Sequence, residues 1–181
     1  KNSNFITDHS IKLGENSTNT HLFGELSSSS ENNEYKLNFE TTSNRNYLKK
    51  YDITSPLIEN NTSLNSFVSM EKNFDESYLL TSFEIFEDLT KDDNDSYEYI
   101  YPNYIFNKEI RTNMPGQLEF NTSGYQKNYD TNKYDAVMVN DITYKSLQKI
   151  NKRGFINNYS LILKNINTDG KNSSNHNNIL E

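Results

Sequence analysis

The sequence predicts an α+β fold: a mixed sheet with a C-terminal strand-helix-strand unit and polar flexible tails. Three observations lead to this class. Tyr35, Leu37 and Phe39 alternate with polar residues, which is the period of a half-buried strand. Residues 75–89 place apolar side chains at helical spacing. Residues 134–166 contain two apolar runs around a helical pattern, within the usual length of a βαβ unit.

The region before residue 120 gives short elements. The sequence predicts a helix over 75–89 with Asp75 as its N-cap, and a strand over 80–86 is the competing interpretation. Other short elements are predicted as strands over 34–40, 66–70 and 118–120, and as a short helix or turn over 45–52.

Residues 97–105 are aromatic and favour a strand. Pro102 has no backbone N–H and cannot donate to a strand ladder. The sequence therefore predicts a strand that is broken at Pro102 or lies at a sheet edge.

The C-terminal unit is the clearest predicted element. Tyr134–Asn140 is an apolar run typical of a buried strand. Asp141 is suited to cap a helix over 142–152, because its side chain can accept from backbone N–H groups, and Gly154 follows where such a helix would end. Residues 159–166 then predict a return strand.

The two ends of the chain are rich in Asn and Ser, and the chain opens with Lys1 rather than Met. We expect a polar N-terminal segment over 1–30, one α+β extracellular domain over 31–166, and a polar tail over 167–181. The interpretation is an excised piece of a longer protein, and a trimmed secreted protein is the alternative.

Composition excludes several classes of protein. The chain of 181 residues has no Cys, so it has no disulfide framework, zinc finger or thiol nucleophile. Its net charge of −7 argues against a nucleic-acid partner, since such binding needs a basic patch. Aromatic residues make up 13% of the chain, which favours a folded domain over a disordered one.

Catalytic and metal motifs are weak. The three His residues, His9, His21 and His176, lie in or near the polar ends, so a Ser-His triad is not expected. Residues 92–98 resemble part of a calcium loop, but Tyr97 stands where such a loop needs Gly. We therefore predict that residues 92–98 form a solvated acidic loop. We predict no catalytic residue, no metal site and no cofactor.

Acidic and aromatic residues are concentrated between Glu71 and Glu98, where ten acids face two Lys and the net charge is −8. Such a surface would attract a cationic partner and offer rings to its apolar side. An ordinary solvated acidic face is the alternative. The candidate ligand-binding residues are Phe83, Glu84, Glu87, Asp88, Asp92, Asp93, Asp95, Tyr97 and Glu98.

A smaller basic group lies in the C-terminal unit. Lys145, Lys149 and Lys152 share one face of the helix predicted over 142–152. This face could contact an acidic partner or an anionic surface, and the solvent face of a helix is the plainer interpretation.

The C-terminal unit also resembles a known family. Residues 137–141 (VMVND), Tyr144-Lys145 with Leu147 and Lys149, and residues 159–164 (YSLILK) are similar to the end of the large extracellular domain of Bce-type permeases. These are FtsX-like ABC transporter permeases of Gram-positive bacteria that handle antimicrobial peptides. The resemblance covers about a sixth of the chain and contains no binding motif.

The resemblance implies a non-enzymatic sensor or substrate-contact domain on the extracellular face of the cell membrane. The implied partners are a cationic peptide or a lipid-linked cell-wall target, the parent transmembrane helices, a cytoplasmic ATPase subunit and a sensor histidine kinase. Two other functions stay open: a secreted or surface-anchored adhesin-like binding module, and a hydrolase of unfamiliar type.

Overall fold

The computed structural model describes residues 2–14, 18–91, 95–130, 132–171 and 173–181. These residues form a ten-stranded antiparallel sheet, a separate two-stranded hairpin and a four-residue helix, α1 (Tyr47–Lys50). The strands are β1 (Asn2–Leu13), β2 (Thr18–Ser29), β3 (Asn33–Thr42), β4 (Ser63–Phe74), β5 (Ser77–Asp88), β6 (Tyr97–Ile110), β7 (Gly116–Tyr129), β8 (Lys133–Ser146), β9 (Lys149–Ile150), β10 (Ile156–Asn157), β11 (Ser160–Gly170) and β12 (Ser173–Leu180).

The sheet is a meander in which neighbours in sequence are neighbours in space. The order is β1-β2-β3-β4-β5-β6-β7-β8-β11-β12, and β9 and β10 form the small hairpin between β8 and β11. Because every pairing is antiparallel, all hairpin ends fall on two opposite margins of the sheet. One margin carries α1, and we call it the α1 margin.

A small core lies at the α1 margin. The pairing of β3 with β4 starts at Asn33 and ends where Asn38 meets Phe67. Beyond this point the two strands diverge, and residues 43–62 lie between their ends. The buried apolar residues there are Phe23, Tyr47, Leu48, Leu64 and Leu89. This core covers one corner of the sheet and leaves the other strands in a single layer.

The predicted α+β class is wrong, because the chain is almost entirely antiparallel sheet. The helix predicted over 142–152 is the clearest error: β8 runs through Asp141 to Ser146 with partners on both sides. Two neighbouring strands satisfy the backbone groups of this segment, so tertiary pairing overrides its helical spacing. Gly154 does not end a helix; it lies between β9 and β10 with a φ of 83°.

The helix predicted over 75–89 is also wrong, and the competing strand is correct and longer than expected. β5 pairs along its whole length with β4, and with β6 on its other side. Leu79, Phe83 and Ile85 share one face of this strand, whereas Leu80 and Phe86 lie on the other. Apolar residues on both sides of a segment fit the period of a helix as well as that of a strand. The pattern alone therefore does not decide between the two structures.

Strand β6 is neither broken at Pro102 nor at a sheet edge. It is a central strand that accommodates Pro102 in an irregularity, where the registers with both β5 and β7 shift between Ile100 and Asn103. The Tyr101–Pro102 peptide bond is cis. The missing N–H of Pro102 therefore falls where the ladder is already interrupted.

The remaining elements confirm the short predictions in kind but not in length. Strands are present over 34–40, 66–70, 118–120 and 160–166, each longer than predicted, and the segment predicted as a short helix or turn over 45–52 contains α1. The flexible polar tails are a wrong prediction, since residues 2–13 and 173–180 are strands of the sheet. The basic residues Lys145, Lys149 and Lys152 share no helix, because the described chain between 142 and 152 contains none.

Candidate functional site

The two faces of the sheet differ sharply in exposed apolar side chains. Residues that pair directly across strands point to the same side, so the registers assign each side chain to a face. The face that carries Leu37, Val68 and Phe83 is called the apolar face. Its exposed apolar side chains are Phe5, Ile11, Leu13, Leu22, Leu26, Tyr35, Leu37, Val68, Phe74, Phe83, Ile85, Tyr97, Tyr99, Tyr101, Ile110, Met138, Ile142, Leu161, Leu163 and Leu180.

Charged side chains have the opposite distribution. The apolar face carries Lys72, Glu87, Lys108 and Asp169. The other face, called the polar face, carries Asp8, Lys12, Glu25, Glu34, Lys36, Glu40, Glu71, Glu84, Asp88, Glu98, Glu109, Glu119, Lys127, Lys133, Asp135, Asp141, Lys145 and Lys164. The sheet is therefore amphipathic, with water-seeking groups on one side.

A shallow groove of about 370 Å³ lies on the apolar face. Leu37, Val68 and Phe83 stand side by side on three strands, and Ile85 pairs with Tyr99 beside them. Phe39 and Tyr101 also line the groove. All of these positions point the same way because strand side chains alternate, so the groove follows from register. It can hold an apolar group, since rings and aliphatic side chains form its lining.

The strand alternation divides the predicted acidic-aromatic residues between the two faces. Phe83, Glu87 and Tyr97 lie on the apolar face, and Glu84, Asp88 and Glu98 lie on the polar face. Asp95 is exposed in the connection between β5 and β6, and Asp92 and Asp93 lie outside the described residues. The structure thus brings Phe83 into the groove, and it places three of the four described carboxylates that lie on these strands on the opposite face.

The three predicted acids on the polar face already have partners within the chain. Glu84 accepts a hydrogen bond from the Ser82 hydroxyl at 2.6 Å. Glu98 lies 2.6 Å from the Lys127 ammonium. Asp88 accepts from the hydroxyl and the backbone N–H of Thr90 at 2.6 and 2.9 Å. These contacts compete with a cationic ligand for the same oxygens.

A hydrogen-bonded group on the polar face combines Ser10, His21, Asp8 and Tyr47. Ser10 Oγ lies 3.0 Å from His21 Nδ1 and 2.7 Å from Tyr47 Oη, and His21 Nε2 lies 3.5 Å from Asp8 Oδ1. The residue types are those of a catalytic triad. However, His21 is only 4% exposed and its ring stacks on Phe23. The Ser10 hydroxyl is also hydrogen-bonded to the Tyr47 hydroxyl of α1. The arrangement links β1 and β2 to α1.

Sequence reasoning missed this group, because Ser10 meets His21 only through the register of β1 with β2, and Tyr47 reaches Ser10 only through the placement of α1. The one local signal was the spacing of Asp8 and Ser10, which places both side chains on one face of a strand. Among the described residues, no group of three or more His, Asp or Glu side chains is placed to hold a metal ion. In the same part of the chain, no helix is both long enough and apolar enough to cross a membrane.

Two carboxyl groups on the polar face have pKa values shifted in opposite directions. Burial raises the pKa of Glu40, and hydrogen bonds from the Asn65 backbone N–H and the Asn38 amide, both at 2.8 Å, oppose this rise. The hydrogen bonds from Thr90 lower the pKa of Asp88.

These shifts predict opposite dependences of stability on pH. The free energy of unfolding of the wild type, compared with that of Glu40→Gln, should be greatest at low pH. This difference should shrink as pH rises from about 4.5 through the folded pKa of Glu40. Relative to Asp88→Asn, the wild-type advantage should be present above about 3.8 and disappear as pH falls. Urea unfolding of the three proteins over this pH range measures both trends, and parallel curves would contradict the assignment.

Comparison with known proteins gives no family. No family model matches the chain, and no curated protein sequence matches it.

Proposed function

We propose that the chain is a non-enzymatic binding element that works through the apolar face of its sheet. The observation that carries this proposal is the concentration of exposed apolar side chains on one side of a single layer. Stable domains generally bury the apolar face of a sheet against a second layer. In the described part of the chain, the core covers only the corner at the α1 margin, which Phe23 enters from the polar face and Leu64, paired with Glu87, from the apolar face.

The size of the apolar surface supports a stable contact. Ten strands about 4.8 Å apart and about 12 residues long give a sheet face of roughly 43 Å by 40 Å. Apolar side chains occupy roughly half of it, on the order of 850 Å², above the 300–600 Å² typical of the largest patch on a monomer. This equals one side of a standard protein interface, about 800 Å².

The permease, adhesin and hydrolase hypotheses stay predictions. The helix that carried part of the likeness to Bce-type permeases is a strand, so the permease interpretation now rests on less of the chain. A peptide could still use the groove through its apolar side chains. Electrostatic attraction of a cationic peptide would then act mainly from the opposite face, since the acids there outnumber those beside the groove.

A matched pair of double variants tests the proposal. Ile85 and Tyr99 on the apolar face are 45% and 40% exposed, and Ile105 and Tyr125 on the polar face are 39% and 40% exposed. Replacing either pair with Lys adds the same charge at similar exposure. Sedimentation of the full chain with and without a non-ionic detergent reports whether the apolar face needs a cover.

We expect the wild type to self-associate in plain buffer and to become monodisperse when detergent binds. The Ile85→Lys/Tyr99→Lys variant should bind several-fold less detergent, and the Ile105→Lys/Tyr125→Lys variant should behave like the wild type. Circular dichroism confirms that each variant keeps its strands. A wild type that is monodisperse without detergent and binds none would refute the proposed function.

A further inference from the structure

The apolar surface does not run straight across the strands. The first row considered is a line of cross-strand neighbours through Leu37, Val68 and Phe83. On its β1 side the row continues through Leu26 and Phe5, so it is apolar from β1 to β5. Beyond the irregularity of β6 the same line meets Gln126, Ala136 and Asp169. The row therefore changes from apolar to mostly polar at the middle of the sheet.

A second row, six residues further from the α1 margin, shows the opposite change. It begins at Phe74 on β4, which pairs with Ser77 on β5, and Ser77 pairs with Lys108 on β6. It then passes to Phe120, Ile142 and Leu163 on β7, β8 and β11. Apart from Phe74 at its β4 end, the apolar part of this second row is thus on the strands whose first-row positions are mostly polar.

Together the two rows define an oblique apolar band. From Leu37 to Leu163 the band moves six residues along the strands, about 20 Å at 3.3 Å per residue. It crosses six strand spacings on the way, about 29 Å at 4.8 Å each. The band therefore lies at an angle of about 35° to the rows. Because the rows run perpendicular to the strands, the strands are tilted by the same angle from the direction perpendicular to the band.

Polar side chains beside the band are bonded to one another. Thr122 Oγ1 donates to Asn140 Oδ1 at 2.7 Å, and Asn140 Nδ2 donates to Asn165 Oδ1 at 3.3 Å. Asn165 Nδ2 then donates to Asn178 Oδ1 at 2.8 Å. This chain of contacts reduces the number of unpaired polar atoms next to an apolar phase, where an unpaired group is costly.

We infer that the oblique band contacts the hydrocarbon of a lipid layer, with the strands tilted to the layer; this rests on the proposed function. In a sheet that enters a lipid layer, the depth of each position decides whether its side chain meets hydrocarbon. When the strands are tilted, positions of equal depth form a line that is oblique to the strands. Strands in a lipid layer are tilted by about 45°, which is close to the observed angle. The low charge of the apolar face suits hydrocarbon, and the charged polar face suits water.

A second copy of the chain fits the pattern less well. Two sheets that pack face to face keep their strands within about 30° of each other and bury inward positions along each strand. Such packing would favour apolar residues throughout a row, whereas each row here changes character midway. Inside a lipid layer, the outer edges of β1 and β12 also need strand partners for their backbone groups.

The absence of Trp from the chain allows a clean test of depth. Four single variants of the full chain carry one Trp each: Leu37→Trp and Gln126→Trp near the first row line, and Leu163→Trp and Ser77→Trp on the second. Gln126 and Ser77 are neutral controls at the same row height. Each protein is mixed with phosphatidylcholine vesicles whose acyl chains carry bromine, which quenches tryptophan fluorescence at short range.

We expect bromine to quench Trp at positions 37 and 163 several-fold more than Trp at positions 126 and 77. Equal quenching of the two members of each pair would overturn the oblique band. If the wild type needs detergent but no Trp is quenched by brominated lipid, the lipid inference fails while the proposed function stands. Sedimentation as a defined dimer without amphiphile would identify a second copy as the partner.

Discussion

Replacing Phe23 with alanine is expected to lower the free energy of unfolding by about 3–5 kcal/mol. Phe23 is fully buried in the core at the α1 margin and stacks on His21 with ring centres 4.5 Å apart. Removing its ring leaves a cavity between β2 and residues 43–62, because the sheet on one side is fixed by its ladder. Urea unfolding followed by circular dichroism measures the change.

The matched control is Phe155→Ala. Phe155 is 64% exposed beside the β9–β10 hairpin, so its loss should change the free energy of unfolding by less than about 0.5 kcal/mol. Similar losses for the two variants would mean that the small core does not stabilise the sheet.

The second large effect is expected for Gly124→Val, which should destabilise the chain by about 1–3 kcal/mol. Valine has a higher strand propensity than glycine, so propensity alone predicts that the substitution stabilises the chain. However, a Cβ at Gly124 would lie 2.5 Å from the Val137 carbonyl oxygen and 3.0 Å from the Tyr104 ring. The backbone oxygen belongs to the paired strand β8 and has little freedom to move.

Gly24→Val is the informative comparison. A Cβ at Gly24 would meet the Phe39 ring at 2.3 Å, and this ring lies on the apolar face, where it can turn away. We expect a smaller loss than at Gly124, measured by thermal unfolding of both variants. A larger loss at Gly24 would show that Phe39 is held more firmly than its position on an open face suggests.

The sequence predicted strands best where side chains alternate cleanly. Tyr35, Leu37 and Phe39 gave the correct period, and β3 is present. In residues 75–89, Leu79, Leu80, Phe83 and Phe86 fill both sides of the segment, which satisfies a helical period as well as a strand. The helical spacing over 142–152 failed because β7 and β11 supply hydrogen-bond partners on both sides of β8.

The candidate site was predictable only in part. The sequence drew attention to Phe83 and Tyr97, and both lie on the apolar face. It also grouped Glu84 and Asp88 with them, because local charge density contains no information about faces until the period is known. Leu37 and Val68 were missed as groove residues, since they approach Phe83 only through the pairing of three strands.

The sequence by itself determined that this chain folds with many aromatic side chains, has no thiol chemistry and carries a negative net charge. These properties depend on composition, which folding does not change. The tertiary structure alone decided which side chains share a face, that the carboxylates near residue 84 are divided, and that an apolar band crosses the sheet obliquely. Each of these depends on strand register, and a shift of one residue in register would exchange the two faces.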